Sequence, residues 1–360
     1  MRIAMLIGSL SKGGTERVAV NLTDYLLKKG HQVTVVSQYI KEIEYPINEA
    51  AKRIISDITE AETTKSRVIN FYRRFMKLRR IWQSEKPDII LSFIGKNNMM
   101  AIMTNYFLPA PVVVAVRGAP EEEYPTLFER HITRFLFRFA DGIILQTEAS
   151  RTFFPATVNR KATVLRNPME SRFFLPRFEG ERDKTIVVVG RLEGFKNHLM
   201  LLKAFSELTE RYPEYQLIIH GEGVMRKALE DEVALLGLAK RVSLPGASDH
   251  IEQDIYRAGM YVLSSDAEGV PNSLIEAMLL GLACIATDCP CGGPADLIRH
   301  GENGLLTPIK DAKKMKENLQ YLIENPHLAE QMGKKAHSIQ ALFDPQIVYE
   351  TWEKYLTMLR

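Results

Sequence analysis

Met1-Arg2-Ile3-Ala4-Met5-Leu6-Ile7-Gly8-Ser9-Leu10-Ser11-Lys12-Gly13-Gly14-Thr15-Glu16-Arg17 opens the chain with an apolar run, a glycine loop and the first turn of a helical pattern. A short continuous apolar run bounded by turn residues reads as a strand buried on both faces, here residues 3–7, and helical periodicity then continues over 14–29. Strand, loop and helix in that order build a parallel sheet covered by helices. The rhythm repeats through expected strands at 32–36, 88–93, 112–116, 142–145 and 163–165, with a long helical pattern over 67–85. At Arg166-Asn167-Pro168 it breaks, and the charged, proline- and glycine-containing segment 176–184 follows. A second series then runs through expected strands at 185–189, 216–220, 242–244, 260–264 and 282–287 and closes in helices. The expected organisation is an N-terminal α/β domain over 1–167, a linker over 168–184 and a C-terminal α/β domain over 185–344. A terminal helix over 345–360 carries Val348, Trp352, Tyr355 and Leu356 at near-helical spacing.

Size and composition agree with two soluble-type domains: 360 residues exceed one ordinary core, and a formal net charge of +3 is too small to argue for nucleic acid. Three cysteines, Cys284, Cys289 and Cys291, stand without a second cluster at zinc-ligand spacing, which points to a reducing compartment and no structural metal. The first apolar run is too short for a signal peptide, and no stretch approaches the roughly 20 apolar residues of a membrane helix. A cytoplasmic location is expected, with any membrane contact made from the surface.

Ligands of open parallel sheets sit beyond the carboxyl ends of the strands, and the informative motifs fall there. Gly13-Gly14 follows the first strand but lacks the GxGxxG and GxxxxGK[ST] patterns. Gly190-Arg191-Leu192-Glu193-Gly194-Phe195-Lys196-Asn197 follows the first strand of the second domain, and Gly221-Glu222-Gly223 the next. The stretch Glu268-Gly269-Val270-Pro271-Asn272-Ser273-Leu274-Ile275-Glu276-Ala277 sets two carboxylates eight positions apart around a helix start, with Asn272 and Ser273 as capping residues. Such a terminus carries roughly half a positive charge and suits a phosphate. Alone, the stretch reads equally as a capped helix with a solvated loop acid. Arg191 and Lys196 add a planar fork and a point charge at the carboxyl end of a strand, suited to a diphosphate, although two loop cations taken alone read as solvated.

Taken together, Gly190-Arg191 with Lys196-Asn197, Gly221-Glu222-Gly223, and Glu268 and Glu276 around Gly269-Val270-Pro271 resemble the signature of the retaining GT-B glycosyltransferases of family four. The resemblance extends to the Gly-Gly-Thr-Glu-Arg loop at residues 13–17. It implies two Rossmann-like parallel-sheet domains facing across a cleft, with the last helix crossing back to the N-domain. It further implies that Arg191 and Lys196 grip the donor diphosphate, Glu268 bonds the donor sugar hydroxyls, and Glu276 takes the ribose hydroxyls. The amides of Asn272, Ser273 and Leu274 would cap the phosphates, Gly221, Glu222 and Gly223 would line the base, and Gly13 and Gly14 would close over the donor. No cofactor or metal is implied, and no side-chain nucleophile. One position departs from the pattern: where many members carry a histidine after an N-domain strand, this chain has Arg117, expected at the donor or an anionic acceptor. His131 is expected on an amphipathic helix, and Cys289-Pro290-Cys291 as packing of a turn near the donor.

The acceptor side is read from residues 65–82, where Arg67, Arg73, Arg74, Lys77, Arg79 and Arg80 interleave with aromatic and aliphatic residues, and from 130–139. Both are basic and apolar, the composition of a helix lying on anionic lipid. The expected function is metal-independent, retaining transfer of a hexose or N-acetylhexosamine from a UDP-sugar to a glycan acceptor, a polyprenyl-diphosphate-linked saccharide of surface polysaccharide or glycan assembly. Alternatives on the same fold are a non-hydrolysing UDP-sugar 2-epimerase and a non-catalytic partner of another transferase. Intact Arg191, Lys196, Glu268 and Glu276 speak against the second.

Overall fold

The computed structural model describes residues 1–11 and 13–360; Lys12, within the glycine loop, lies outside the described residues. The chain divides into two compact units, Met1–Pro168 with Pro345–Arg360, and Met169–Asp344.

In the first unit the order is β1 (Arg2–Ile7), α1 (Gly14–Lys28), β2 (Gln32–Ser37), β3 (Lys52–Ile55), α2 (Arg67–Glu85), β4 (Ile89–Phe93), α3 (Gly95–Asn105), β5 (Val112–Ala115), α4 (Pro120–Glu123), α5 (Leu127–Leu136), β6 (Gly142–Leu145), α6 (Ala156–Asn159) and β7 (Ala162–Val164). Its strands pair in parallel in the order β3-β2-β1-β4-β5-β6-β7. Alternate residues of β1 serve opposite faces: Ala4 and Leu6 pack with Trp82 and Phe137, while Ile3, Met5 and Ile7 pack with Leu22 and Trp352. A strand covered on both faces must be apolar at every position, which is why it reads as a continuous run.

The second unit contains β8 (Asp183–Val189), α7 (His198–Ser206), β9 (Gln216–His220), α8 (Arg226–Leu235), β10 (Val242–Gly246), α9 (Ile251–Asp254), β11 (Ala258–Leu263), α10 (Asn272–Leu279), β12 (Ala283–Asp288), α11 (Gly293–Leu297), β13 (Leu305–Pro308), α12 (Ala312–Glu324) and α13 (Pro326–His337). The sheet runs β10-β9-β8-β11-β12-β13, all parallel. Strand order therefore reverses between β8 and β11, and the loops that follow these two strands are neighbours at the carboxyl edge, where such sheets bind ligands.

The last helix, α14 (Pro345–Met358), packs in the first unit. Val348, Trp352 and Leu356 enter its core, Trp352 Nε1 donates to the Arg166 carbonyl at 2.9 Å, and Glu353 accepts from Tyr25 Oη at 2.9 Å. Tyr25 and Tyr349 stack with centroids 4.7 Å apart.

Two features differ from expectation. The segment read as a linker over 168–184 is packed into the second unit: Met169 and Phe173 are buried in its core, and Tyr256 Oη donates to the Pro176 carbonyl at 2.6 Å. The Arg182 guanidinium also donates to the carbonyls of Tyr256, Ala258, Leu280 and Gly281 at 2.8–3.2 Å. Arginine's five donors satisfy loop carbonyls that would otherwise be stranded. The edge strands β3 and β13 were not read from the sequence, because Lys52-Arg53 and Thr307-Pro308 interrupt their apolar character.

Candidate functional site

Lys196 and Glu268 meet at the reversal point of the second sheet. After β8 the chain crosses Gly190, makes a single 3-10 turn over Gly194–Lys196 and enters α7 through Asn197, which adopts a left-handed conformation at φ 47°. Asparagine tolerates that region, and its side chain caps α7 by accepting from the Met200 amide at 3.3 Å. Its amide nitrogen donates to Asp266 at 2.9 Å, Ser264 Oγ donates to the Lys196 carbonyl at 2.8 Å, and the Asp266 amide donates to the Phe195 carbonyl at 2.7 Å. These bonds stitch the loop after β8 to the loop after β11.

Across that seam Lys196 Nζ lies 2.5 Å from Glu268 Oε1, with both side chains only 12% exposed. The same carboxylate oxygen accepts from Ser265 Oγ at 2.6 Å. Ser265 is fixed in turn by its carbonyl, which accepts from Thr287 Oγ1 at 2.5 Å and Cys289 Sγ at 3.3 Å. Cys289 is thus a packing residue of the turn after β12, and burial pushes its thiol up to about 12. Ser264, Ser265 and Asp266 are positioning residues that sequence reading passed over. The available signal was a run of polar residues directly after an apolar strand.

Glycine contacts bring the remaining motifs to the same edge. A Cβ on Gly221, whose φ is 149°, would stand 1.8 Å from the Gly190 carbonyl oxygen, and one on Gly223 2.4 Å from that of Leu192. Only glycine permits this approach, so the 221–223 loop lies against the 190–192 loop. Glu222 points elsewhere: it is over half exposed and pairs with Arg226 at 2.5 Å, whose hydrogen bond holds its carboxyl below the usual range. Gly293, at the start of α11, would place a Cβ 1.6 Å from the Gly269 carbonyl oxygen, which locks the loop carrying Glu268, Gly269 and Val270.

Helix α10 begins at Asn272 with Pro271 in the N-cap position and no side-chain cap. Ser273, read as a cap, instead accepts from Tyr261 Oη at 2.8 Å, because the buried phenol requires a partner. The Leu274 amide bonds to the Pro271 carbonyl at 3.1 Å, while the Ser273 N–H makes no hydrogen bond within the described residues. Glu276 is buried in the second turn at 2% exposure. Arg191 is well exposed, paired with Glu193 at 2.7 Å and 5.9 Å from the Phe195 ring centroid.

His198 at the start of α7 and His220 at the end of β9 are buried imidazoles, 4% and 7% exposed. Burial, reinforced for His198 by the Lys196 charge, lowers both, His198 to about 4, so both rings are neutral near pH 7.

In the first unit Gly13 stands at the N-cap of α1, and the Arg17 amide donates to its carbonyl at 3.0 Å. Arg117 follows β5. Its side chain is turned into the unit, 7% exposed, with Nη2 donating to Asn167 Oδ1 at 2.6 Å and the guanidinium 5.7 Å from the Trp352 ring. Burial lowers its pKa to about 10, against the opposing pull of Glu123. A ring face and an amide from distant sequence positions draw it inward. His131 lies on α5, its Nδ1 2.7 Å from the Leu127 carbonyl, as the amphipathic reading expects.

Comparison with known proteins follows the same division. Residues 12–171 match the model of Glycosyltransferase Family 4, and residues 172–338 that of Glycosyl transferases group 1. The chain is 24% identical over 364 residues to a Campylobacter jejuni GalNAc-alpha-(1->4)-GalNAc-alpha-(1->3)-diNAcBac-PP-undecaprenol alpha-1,4-N-acetyl-D-galactosaminyltransferase, covering 100% of this chain and 99% of that one. It is 27% identical over 355 residues to an uncharacterized glycosyltransferase of Haemophilus influenzae, covering 96% and 97%. Among solved structures, Anabaena HepE in complex with UDP superposes with a TM-score of 0.81 at 18% identity, over 99% of this chain and 100% of that one. With two family models matched in succession and the likeness running the length of whole relatives, the chain belongs to the family four glycosyltransferases and has their GT-B fold.

Proposed function

We propose that this glycosyltransferase moves a hexose or N-acetylhexosamine from a UDP-sugar, with retention of anomeric configuration and without a metal ion, to a polyprenyl-diphosphate-linked glycan. The observation that carries the donor half is the Lys196–Glu268 pair beside the first turn of α10, held by Ser265 from below. A cation and helix amides at one point suit the diphosphate, on which negative charge grows as the sugar–phosphate bond breaks. Arg191 exchanges Glu193 for a donor phosphate. Glu268 holds sugar hydroxyls, Glu276 the ribose, the Ser273 and Asn272 amides a phosphate, and the Gly221–Gly223 loop the base. The acceptor hydroxyl attacks the anomeric carbon on the face the diphosphate leaves, its proton passing to the departing phosphate oxygen. Lys196, Arg191 and the α10 terminus supply the charge that a divalent ion would otherwise provide.

The acceptor half rests on the named activity of the Campylobacter relative and on the apolar surface of the first unit. Val68, Ile69 and Tyr72 of α2, and Leu127, Phe128, Phe135 and Phe139 in and after α5, are exposed. Among the described residues no helix is long and apolar enough to cross a membrane. Contact with the membrane in this reading is peripheral, through 65–82 and 130–139 with the neighbouring Leu127 and Phe128, at the cytoplasmic face where nucleotide sugars are made. Several of the cations read as headgroup ligands are used internally: Arg73, Lys77, Arg130 and Arg134 donate to the carbonyls of Glu62, Asp57, Tyr124 and Phe153. The apolar side chains rather than these charges make the contact.

The test is UDP release from UDP-N-acetylgalactosamine with and without a diphosphoprenyl glycan, in excess chelator, with the product's anomeric proton read by NMR. Acceptor-dependent release and an α product from the α donor support the proposal. An epimerised free UDP-sugar formed without acceptor contradicts it.

A further inference from the structure

A cavity of about 190 Å³ opens at the carboxyl edge of the first sheet, where Leu6 of β1, Gln38 and Asp57 beyond β2 and β3, and Asn97 of α3 meet Phe71 and Arg74 of α2. The order β3-β2-β1-β4 reverses direction between β1 and β4, so the cavity lies at the position where such a sheet takes a ligand. It is smaller than the roughly 300 Å³ at which sites for drug-sized ligands begin, and holds one ring with one substituent.

Its chemistry selects among ligands. Two cations border it, but Arg74 Nε lies 2.5 Å from Asp57 Oδ1 and Lys96 Nζ 3.5 Å from Glu129 Oε1. Both charges are compensated, so the cavity offers little net attraction for a phosphate. Its walls combine an apolar surface from Leu6, Leu78, Met100 and the half-exposed Phe71 ring with planar amides from Gln38 and Asn97. Asn97 Nδ2 already donates to the Phe93 carbonyl at 3.2 Å, whereas Gln38 uses its backbone N–H on the Ile7 and Gly8 carbonyls and its side-chain amide makes no hydrogen bond within the described residues. A neutral group that carries a methyl beside an amide satisfies both kinds of wall.

We propose that this cavity binds the acetamido group and ring of an N-acetylhexosamine unit of the acceptor, with Phe71 against the sugar face and Gln38 bonded to the acetamido. The proposal rests on the glycosyltransferase reading above and specifies its acceptor subsite. A hydroxyl in place of the acetamido leaves the apolar wall unfilled and the Gln38 amide unmatched.

The test uses the full chain and saturation-transfer NMR with methyl N-acetyl-α-galactosaminide and methyl α-galactoside as probes. The acetamido methyl should receive the strongest saturation, and the N-acetylated probe should bind at least fivefold more tightly than the galactoside. Gln38→Ala and Phe71→Ala, both at positions with exposed surface, should each weaken its binding at least fivefold. Equal binding of the two probes, no binding of either, or undiminished binding by both variants would overturn the proposal. UDP titrated into the same samples separates the two sites. Retained UDP affinity shows that the variants are folded, and a wild type that binds the acetamido sugar but not UDP would contradict the donor site alone.

Discussion

Lys196 Nζ and Glu268 Oε1 stand 2.5 Å apart on two loops 72 positions separated in sequence, and neither side chain is more than 12% exposed. Adjacent parallel strands β8 and β11 bring them together, and Ser265 supplies the carboxylate with a second hydrogen bond. Removing either partner leaves the other largely out of water without its counter-charge. Lys196→Met and Glu268→Gln are each expected to cost about 1–3 kcal/mol of stability. The double variant should cost less than the sum of the two, because the second change removes the stranded group. Chemical denaturation of the four proteins measures the coupling; strict additivity would mean that the two side chains do not interact in solution.

Locking of the 268–270 loop by Gly293 predicts a functional effect away from the charges. Gly293→Ala forces a Cβ into the Gly269 carbonyl, so the loop must move and transfer should fall at least tenfold. Gly194→Ala meets nothing within 4 Å and should alter stability by no more than about 0.5 kcal/mol. A Gly293→Ala enzyme with wild-type kcat/KM would show that the close approach is not maintained during catalysis.

Acid should weaken the second unit through His198. Its folded-state pKa, about 4, is lowered by burial and by the Lys196 charge from an ordinary value of 6.5. The unfolded chain therefore binds the proton first, and stability present above pH 6.5 is lost as pH falls toward 4. For a shift of this size the loss is about 3 kcal/mol, with His220 acting in the same direction. His198→Gln should flatten the pH dependence of unfolding between pH 6.5 and 4, and an unchanged slope would mean the ring is solvated when folded.

Trp352 anchors α14 in the first unit. It is fully buried, bonded to the Arg166 carbonyl and faced by the Arg117 guanidinium. Trp352→Ala is expected to cost about 3–5 kcal/mol in thermal or denaturant unfolding. A loss below about 1 kcal/mol would show that the C-terminal helix contributes little to that unit.

The sequence was most legible where physics was local. Strands buried on both faces, such as 3–7 and 112–115, announce themselves as unbroken apolar runs, and α2 runs over the residues its periodicity gives. Edge strands β3 and β13 were missed because one side of each needs no apolar partner. The segment 168–184 looked like a linker because its charges are visible in sequence while the carbonyls that Arg182 satisfies are contributed by residues 256–281. The surroundings of Arg117 are hidden for the same reason, since they come from Asn167 and Trp352. Residue types carried the cationic and acidic members of the proposed donor site. Ser265, Asp266 and Thr287, which hold those members in place, carry no distinctive spacing.

Calorimetric titration of UDP into wild type, Lys196→Ala and Glu276→Ala tests the central claim most directly, because it asks only whether this edge of the second sheet binds a nucleoside diphosphate. Wild type should bind one UDP per chain with chelator present, and each variant should bind at least tenfold more weakly while remaining folded by circular dichroism. No binding by wild type, or undiminished affinity in both variants, would contradict the assignment of the site.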